Sequence, residues 1–380
     1  MLDKRVELVF LLAVVSIGGV VGLFSVTHNT VYIDEFTYAR LGYSLAEGHL
    51  ASDSSFLSLY RSYGLVRNDI MTPYGYLESV QPWLDHPPLV GYLLVPLVFV
   101  GANPRSLPVL FDIGIALVMY LTLRQKDRLF AVATSGFFLL YMQLFPVLSM
   151  LFLDSAVSFF LVLTVALAMH FERTGSNRAL YFAGITAGLA ALAKVPGVVA
   201  FLFLALLLGY EGLSKRAKTR QVIPPLVIAT GLAILWPIYG FLVEPGLFWQ
   251  LTITNISRSA LSGNSLQQIL TALASSAKFA KPDYTLVLEP VMLLSWVATL
   301  LVAFRKKHRF TSLALGSYLI VLFVLRYVPP QMTVPLFPFF AISFGAISAD
   351  VARFVNARLG LGSVPRWTES FGSKANIHNT

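Results

Sequence analysis

The chain alternates long apolar runs with short polar turns. The runs are mostly fifteen to twenty-two residues long, close to the ~20 apolar residues that a transmembrane helix needs. This pattern predicts an all-α polytopic membrane protein with about ten spans. We place the spans at about 6–26, 106–123, 129–145, 155–170, 179–193, 196–210, 221–242, 286–304, 310–328 and 331–349.

One apolar segment, residues 87–100, is only about fourteen residues long. If it crossed the membrane, every later basic turn would face the opposite side. We therefore expect a re-entrant or interfacial helix that packs within the protein.

Basic residues set the predicted orientation. Nineteen of the 28 Lys and Arg residues lie near the two termini or in the turns at 124–128, 173–178, 215–220 and 305–309. If these segments are cytoplasmic, both termini lie inside. The expected organisation is one transmembrane catalytic domain, a basic tail and two extracytoplasmic loops, of which the first is long and carries short amphipathic helices. The catalytic domain spans residues 1–350 and the tail spans 351–380. The two loops lie within the catalytic domain, at 27–87 and 243–285.

Composition supports this interpretation. Of the 380 residues, 56% are hydrophobic and 12% charged, and the mean hydropathy is +0.72, whereas a soluble domain carries about 25% charged residues. The absence of Cys excludes disulfides, thiol catalysis and Cys-ligated metals. The net charge of +9 lies mostly in the short turns, so it reflects membrane topology and not nucleic-acid binding.

Two adjacent acids, Asp34 and Glu35, follow the first span almost at once. One interpretation is that they cap a solvated helix over Phe36–Glu47. The alternative is that a partly desolvated carboxylate at the membrane boundary acts as a general base.

A second group of polar residues, Asp85 and His86, comes just before a double proline and the short apolar segment. The prolines favour an extended entry into the next helix, so Asp85 and His86 are expected at its N-terminus. An ordinary interfacial turn is the alternative.

Other charges stand at predicted span ends on the outer side. Asp154 precedes a span, and leaving it unpaired at the boundary is expensive, although it would also serve as a helix cap. Lys194 has no acid nearby in sequence, so we expect a distant acid or a lipid phosphate as its partner. Arg326 is expected either to face the site or to extend to lipid headgroups. Asp112 is expected to form a structural ion pair with Arg105.

Five motifs in fixed order carry a family resemblance: V-Y-I-D-E-F, D-H-P-P-L-V-G-Y-L-L, N-P-R-S-L-P-V-L-F, F-L-D-S-A and A-G-L-A-A-L-A-K-V-P-G. They resemble the dolichyl-phosphate-mannose–protein mannosyltransferase family and its relative, the lipid A aminoarabinose transferase. Both belong to the GT-C class of membrane glycosyltransferases. The late R-Y-V-P-P-Q-M-T-V-P-L-F-P is similar to that family's Tyr/Pro-rich penultimate loop, which adds Tyr327 to the candidate substrate-binding residues.

The resemblance implies a function and a set of roles. A sugar would move from a polyprenyl-phosphate donor to a hydroxyl acceptor on protein, glycan or lipid, outside the cell membrane. Asp34 would be catalytic with Glu35 beside it, and Asp154 would be the second acid. The family's usual Lys before the double proline is His86 here, which leaves its phosphate-contacting role open. The WWDYG-type motif of oligosaccharyltransferases is absent, which argues against en bloc glycan transfer to asparagine.

The leaving phosphate needs fixed positive charge, for which the candidates are Lys194, Arg326, His86 and Arg105. A divalent ion (Zn²⁺, Mn²⁺ or Mg²⁺) between Asp34, Asp154 and His86 is an open alternative, because carboxylate and imidazole suit Zn²⁺ or Mn²⁺.

Two functions from other classes stay open at this level. A secondary transporter or lipid flippase would place its ionisable residues near the bilayer midplane, whereas the candidates here cluster at one boundary. A non-catalytic subunit of a glycan-assembly complex would keep the fold without the chemistry.

Overall fold

The computed structural model describes residues 4–28, 33–48, 86–213, 219–243, 245–246, 248–249, 252–253, 267, 271, 285–305, 308–325 and 329–359. Every regular element within these ranges is helical. The α-helices are α1 (Lys4–His28), α2 (Ile33–Ala46), α3 (Leu89–Phe99), α4 (Ser106–Leu123), α5 (Arg128–Leu144), α6 (Leu153–Thr174), α7 (Asn177–Ala193), α8 (Val198–Leu213), α9 (Thr219–Ala233), α10 (Leu235–Val243), α11 (Thr285–Ala303), α12 (Arg309–Leu325) and α13 (Phe337–Leu359). Short 3₁₀ helices lie at Pro146–Leu148, Val195–Gly197 and Pro330–Leu336.

The predicted class, an all-helical multi-pass membrane protein, is confirmed. Four helical stretches are long and apolar enough to cross a membrane: Ser106–Leu123, Leu153–Thr174, Ile223–Val243 and Gln331–Leu359. Shorter apolar helices accompany them, among them Val9–Phe24, Arg128–Leu144 and Arg309–Leu325. The total of ten spans stays a prediction.

Several helix bounds differ from those expected. The predicted helix over Phe36–Glu47 begins three residues earlier, at Ile33, so Asp34 lies in its first turn and does not precede it. The predicted span 221–242 is broken at Ile234 into α9 and α10. The predicted boundary at residue 350 falls inside α13, which continues to Leu359.

Helix α3 is the short apolar segment predicted not to cross. Its 11 residues rise about 16 Å, roughly half the thickness of the hydrocarbon core. It packs against α2 through two reciprocal glycine contacts. A Cβ added at Gly42 would lie 2.6 Å from the side chain of Leu94, and one at Gly91 would lie 2.5 Å from that of Leu41. The missing side chains let the two helices approach closely, which fixes α2 on α3.

The core of the bundle lies around α6, which packs against α4, α7 and the 3₁₀ helix Pro330–Leu336. Phe111 of α4 stacks on Phe159 of α6 at 5.3 Å between ring centroids. Helices α4 and α6 begin, and α1, α5 and α7 stop, at one end of the bundle, which we call the site end.

The opposite end, which we call the basic end, holds the turns 124–127 and 175–176 and the described residues of the connection after α11, Phe304, Arg305 and His308. Ion pairs connect its elements: Arg309 with Glu172, and Arg353 with both Asp127 and Asp350. The basic turns after α4, α6 and α11 thus lie at one end, while most of the predicted basic turn 215–220 falls outside the described residues.

Candidate functional site

Glu35 and Arg105 form a buried ion pair at the site end. Glu35 lies in the first turn of α2, and Arg105 immediately precedes α4. The guanidinium donates from Nε to Oε1 at 2.8 Å and from Nη2 to Oε2 at 2.6 Å. This two-point geometry is the strong form of an Arg–carboxylate contact. It joins residues seventy positions apart and fixes the start of α2 on the start of α4.

The same carboxylate also holds the segment that precedes α6. The backbone N–H of Leu151 donates to Glu35 Oε1 at 2.7 Å. Leu151 is three residues before Asp154, so α2 and the N-terminal turn of α6 lie close together. The sequence motifs that contain Glu35 and Asp154 therefore meet at one end of the bundle.

Asp154 and Lys194 form a second buried ion pair. The Nζ atom of Lys194 donates to Asp154 Oδ2 at 2.7 Å, and both side chains are at most 5% exposed. The expected distant acid for Lys194 is therefore Asp154. The expectation that Asp154 caps its helix is wrong, because the N-cap is Phe152 and Asp154 lies within the first turn.

The helix ends that carry this pair favour both charges. Asp154 lies at the N-terminus of α6, and Lys194 is the C-cap of α7. An acid at a helix N-terminus and a cation at a C-terminus are each stabilised by the helix dipole, typically by about 0.3–1 kcal/mol. The two helices are adjacent and antiparallel, so these ends meet.

A tight turn after Lys194 depends on Gly197. The N–H of Gly197 donates to the Lys194 carbonyl at 2.8 Å. A Cβ at Gly197 would overlap the carbonyl group of Ala190, in the last turn of α7. The turn is therefore available only to glycine at this position, and it fixes the backbone of Lys194.

Two buried oxygen atoms beside this pair have no hydrogen-bond partner among the described residues: Oδ1 of Asp154 and Oγ of Ser158. The two residues are four apart on α6 and so lie on one face of the helix. Buried polar groups usually have partners, so these atoms are available to accept hydrogen bonds from a bound molecule. Fully buried Tyr318 lies within electrostatic range of Asp154 and donates its hydroxyl to the Met332 carbonyl at 2.5 Å.

His86 lies against α2. Its ring is 6.3 Å from that of Tyr38 between centroids, and Tyr38 follows Asp34 by four residues, about one helical turn. The segment before α3 therefore lies beside the N-terminal half of α2, as the sequence interpretation requires.

Several predicted site residues fall outside the described part of the chain. These are the side chain of Asp34 and the whole of Asp85, Arg326 and Tyr327. Their assignments stay predictions.

The predicted ion pair between Asp112 and Arg105 is wrong. Arg105 pairs with Glu35, and neither carboxylate oxygen of fully buried Asp112 has a hydrogen-bond partner within the described residues. The physical reason is distance, because Asp112 lies seven residues into α4, about 10 Å along the axis from Arg105, while the Glu35 carboxylate comes directly to the guanidinium.

A metal site fits poorly at Asp154. Among the described side chains, which do not include that of Asp34, no group of three or more His, Asp or Glu residues lies together. The ammonium of Lys194 already contacts Asp154, and its positive charge opposes a divalent cation on the same carboxylate.

The sequence identified most of the charged residues at the site end but not the residues that they contact. Nothing in the chain indicates that Glu35 bonds to Arg105 and to Leu151, because these contacts depend on tertiary packing. Ser158 was detectable, since an interval of four residues from Asp154 inside one apolar helix puts both on one face. Tyr318 carries no such signal, because it is one aromatic residue in a mostly apolar helix.

Comparison with known proteins adds the family context. The model of the dolichyl-phosphate-mannose-protein mannosyltransferase family matches residues 95–243. No curated protein matches the chain in sequence comparison.

Solved structures share the fold at low sequence identity. ArnT from Cupriavidus metallidurans bound to undecaprenyl phosphate is 14% identical with a TM-score of 0.62; the match covers 92% of this chain and 62% of that one. The apo state of the same protein gives 15% identity, a TM-score of 0.58, and coverage of 94% and 64%. The archaeal oligosaccharyltransferase AglB from Archaeoglobus fulgidus, in complex with an inhibitory peptide and a dolichol-phosphate, is 13% identical with a TM-score of 0.55. The match covers 94% of this chain and 52% of that one.

The chain thus spans about half to two thirds of the length of these relatives. The matched family segment contains Arg105, Asp154 and Lys194. The resemblance predicted from the sequence is confirmed: the chain has the fold of the GT-C glycosyltransferases ArnT and AglB, and its residues 95–243 match the mannosyltransferase family.

Proposed function

We propose that this protein transfers a sugar from a polyprenyl-phosphate-linked donor to a hydroxyl group, at the site end of the bundle. The observation that carries the proposal is the buried Asp154–Lys194 pair beside the Glu35–Arg105 pair, within a GT-C fold. The ArnT relative with undecaprenyl phosphate and the AglB relative with dolichol-phosphate support a lipid-phosphate ligand.

Asp34 is the general base in this proposal. The alternative base, Glu35, already accepts two hydrogen bonds from Arg105 and one from Leu151. These three donors occupy the carboxylate oxygens of Glu35 and use them to join α2 to α4 and to the segment before α6. Glu35 and Arg105 are therefore positioning residues that hold the first turn of α2, and with it Asp34, beside α6.

Lys194 stabilises the leaving group. A lysine ammonium has three N–H donors, and one of them is used by Asp154. The remaining donors are available to the phosphate that departs with the lipid, where fixed positive charge lowers the barrier. Asp154 keeps Lys194 in place, and its unpartnered Oδ1 accepts a hydrogen bond from a sugar hydroxyl.

The reaction then balances without a resident metal. The acceptor O–H bond breaks and its proton passes to Asp34, while the oxygen forms a bond to the anomeric carbon. The bond between that carbon and the phosphate oxygen breaks, and its electron pair leaves with the polyprenyl phosphate. Asp34 later releases the proton to solvent.

The remaining assignments are more general. His86, next to Tyr38, together with Asp85, Arg326 and Tyr327, completes the substrate-binding group. The site end faces outward from the cell membrane with both termini cytoplasmic, because the basic turns lie at the opposite end of the bundle. The transferred unit is a hexose or pentose, and the acceptor hydroxyl belongs to a protein, a glycan or a lipid.

The test is donor consumption. The purified full chain is incubated with labelled polyprenyl-phosphate sugars and a membrane extract, with Asp34→Asn as the matched variant. We expect wild type to release polyprenyl phosphate and label an acceptor, and the variant to be at least a hundredfold slower, since general-base catalysis contributes about 10²–10⁴-fold. Movement of intact donor across vesicles without hydrolysis would support a flippase. Equal consumption by both proteins would refute the proposed base.

A further inference from the structure

Three cations converge at the basic end, away from the proposed reaction site. They are Lys126 in the turn between α4 and α5, Arg173 in the last turn of α6, and Arg309 at the start of α12. We call them the three-cation cluster. Arg173 donates to the side chain of Gln125, next to Lys126, and Arg309 pairs with Glu172, next to Arg173. These contacts draw three elements into one small area.

The cluster carries an excess of positive charge. Arg309 pairs with Glu172, whereas the side-chain partner of Arg173 is a neutral amide. The nearby Asp127 accepts from the Phe130 N–H at 3.1 Å and pairs with Arg353. Lys126, whose side chain is only partly buried, makes no ion pair with any described residue. The positive charges of Lys126 and Arg173 therefore have no counterion among the described residues.

The pKa of Lys126 indicates the same excess of positive charge. Partial burial lowers the pKa of its ammonium, and the charges of Arg173 and Arg309 lower that pKa further. The three like charges repel one another, and an anion bound between them would relieve that repulsion.

The position of the cluster identifies the anion. Lys126 and Arg173 lie at the ends of Ser106–Leu123 and Leu153–Thr174, two of the helices able to cross a membrane. Such an end lies at the level of the lipid headgroups. Exposed apolar side chains occur at the same end, including Leu121 and Phe304, at 40% and 86% exposure. A ligand with a phosphate and acyl chains satisfies both features.

We infer that the three-cation cluster binds the headgroup phosphate of an anionic phospholipid, and that this is a structural lipid site separate from the site of sugar transfer. Arginine side chains contact the phosphate oxygens in a fork geometry, and Lys126 supplies a point charge. The acyl chains lie along exposed apolar side chains at this end of the bundle, such as Leu121 at the end of α4.

The experiment compares lipids that differ only in headgroup. The full chain, purified in a zwitterionic detergent, is titrated with phosphatidylglycerol or phosphatidylcholine of the same acyl chains, and retained lipid is counted by native mass spectrometry. Lys126→Gln removes one cation of the cluster. Arg178→Gln removes one exposed cation of the same end, outside the cluster. Lys126→Arg keeps the charge.

We expect wild type to retain phosphatidylglycerol preferentially. Lys126→Gln should weaken that binding about fivefold, since one cation near an anionic surface contributes about 1 kcal/mol, while Arg178→Gln and Lys126→Arg should retain it. Equal weakening by Lys126→Gln and Arg178→Gln would show only diffuse surface charge and overturn the inference. Equal retention of both lipids would also overturn it. Full displacement of the lipid by millimolar inorganic phosphate would identify a free-phosphate site instead.

Discussion

The Nζ atom of Lys194 lies 2.7 Å from Oδ2 of Asp154, and both side chains are buried at the point where α7 ends and α6 begins. Forty residues separate them in the chain. The pair therefore connects two antiparallel helices at the site end. Each of the two buried charges is compensated by the other.

Removal of one partner should cost more than removal of both. Lys194→Met leaves Asp154 buried with an unpaired charge, which typically costs about 3–5 kcal/mol. The double variant Asp154→Asn with Lys194→Met should recover most of that stability but stay inactive, because the leaving phosphate has no cation. Thermal unfolding in detergent and the donor-consumption assay measure the two effects. Recovery of activity in the double variant would contradict the role of Lys194.

The Glu35–Arg105 pair should behave as a positioning device. Glu35→Gln weakens the two-point contact and leaves the guanidinium unpaired, so we expect a stability loss of about 3 kcal/mol and a lower kcat with KM nearly unchanged. Arg105→Lys keeps the charge but not the fork geometry and should fall between wild type and Glu35→Gln. The control is Arg178→Gln at the exposed start of α7, which should change stability by no more than about 0.5 kcal/mol. A kcat unaffected by Glu35→Gln would remove Glu35 from the mechanism.

The turn after Lys194 should reject any side chain at Gly197. In Gly197→Ala, the new Cβ overlaps the carbonyl of Ala190, so the turn must shift and Lys194 with it. We expect a destabilisation of about 1–3 kcal/mol and loss of most activity. The matched control is Gly209→Ala in α8, the helix that follows this turn. A Cβ at Gly209 would have no atom within 4 Å, so the substitution should be neutral or stabilising by up to about 1 kcal/mol. Comparable activity in both variants would show that the turn does not position Lys194.

Lys126 provides a pH-dependent prediction. Its pKa is lowered from 10.5 in the folded chain by partial burial and by Arg173 and Arg309, with Glu172 and Asp127 as the nearby acids. Between the lowered folded pKa and 10.5, the unfolded chain binds more protons, so this group's contribution to stability rises with pH in that window. Below the window the protonated lysine is a constant penalty. Without anionic lipid, Lys126→Gln should therefore raise Tm at pH 7, and the gain should shrink as the pH approaches 10.5.

The control for this measurement is Arg178→Gln, whose Tm difference from wild type should not change with pH. A decrease in Tm for Lys126→Gln at pH 7 would mean that attraction to the nearby acids outweighs the repulsion from the two arginines.

Much of the architecture follows from the sequence because apolar length decides it. Helix α4 has the predicted bounds, Ser106 to Leu123, since a run of apolar residues between Arg105 and Arg124 has few other ways to satisfy its backbone in lipid. The break at Ile234 was missed although the sequence contains its signal: Pro237 has no N–H to donate to the carbonyl of Ala233, four residues earlier, which interrupts a helix at this point.

The charges at the site were found from the sequence, whereas their pairing was not. Motif position identified Glu35, Arg105, Asp154 and Lys194. The local argument that assigned Asp112 to Arg105 failed because it used separation along one helix, while the actual partner approaches from α2. Pairing between distant segments depends on how helices are arranged around one another, and hydropathy contains no information on that arrangement.

The reciprocal contacts of Gly42 with Leu94 and of Gly91 with Leu41 have a consequence for the long segment 49–85. Helices α2 and α3, which precede and follow this segment in the sequence, are joined to each other directly at these two glycines. Changes to the sequence of residues 49–85 that leave Gly42 and Gly91 in place should therefore preserve the packing of α2 on α3.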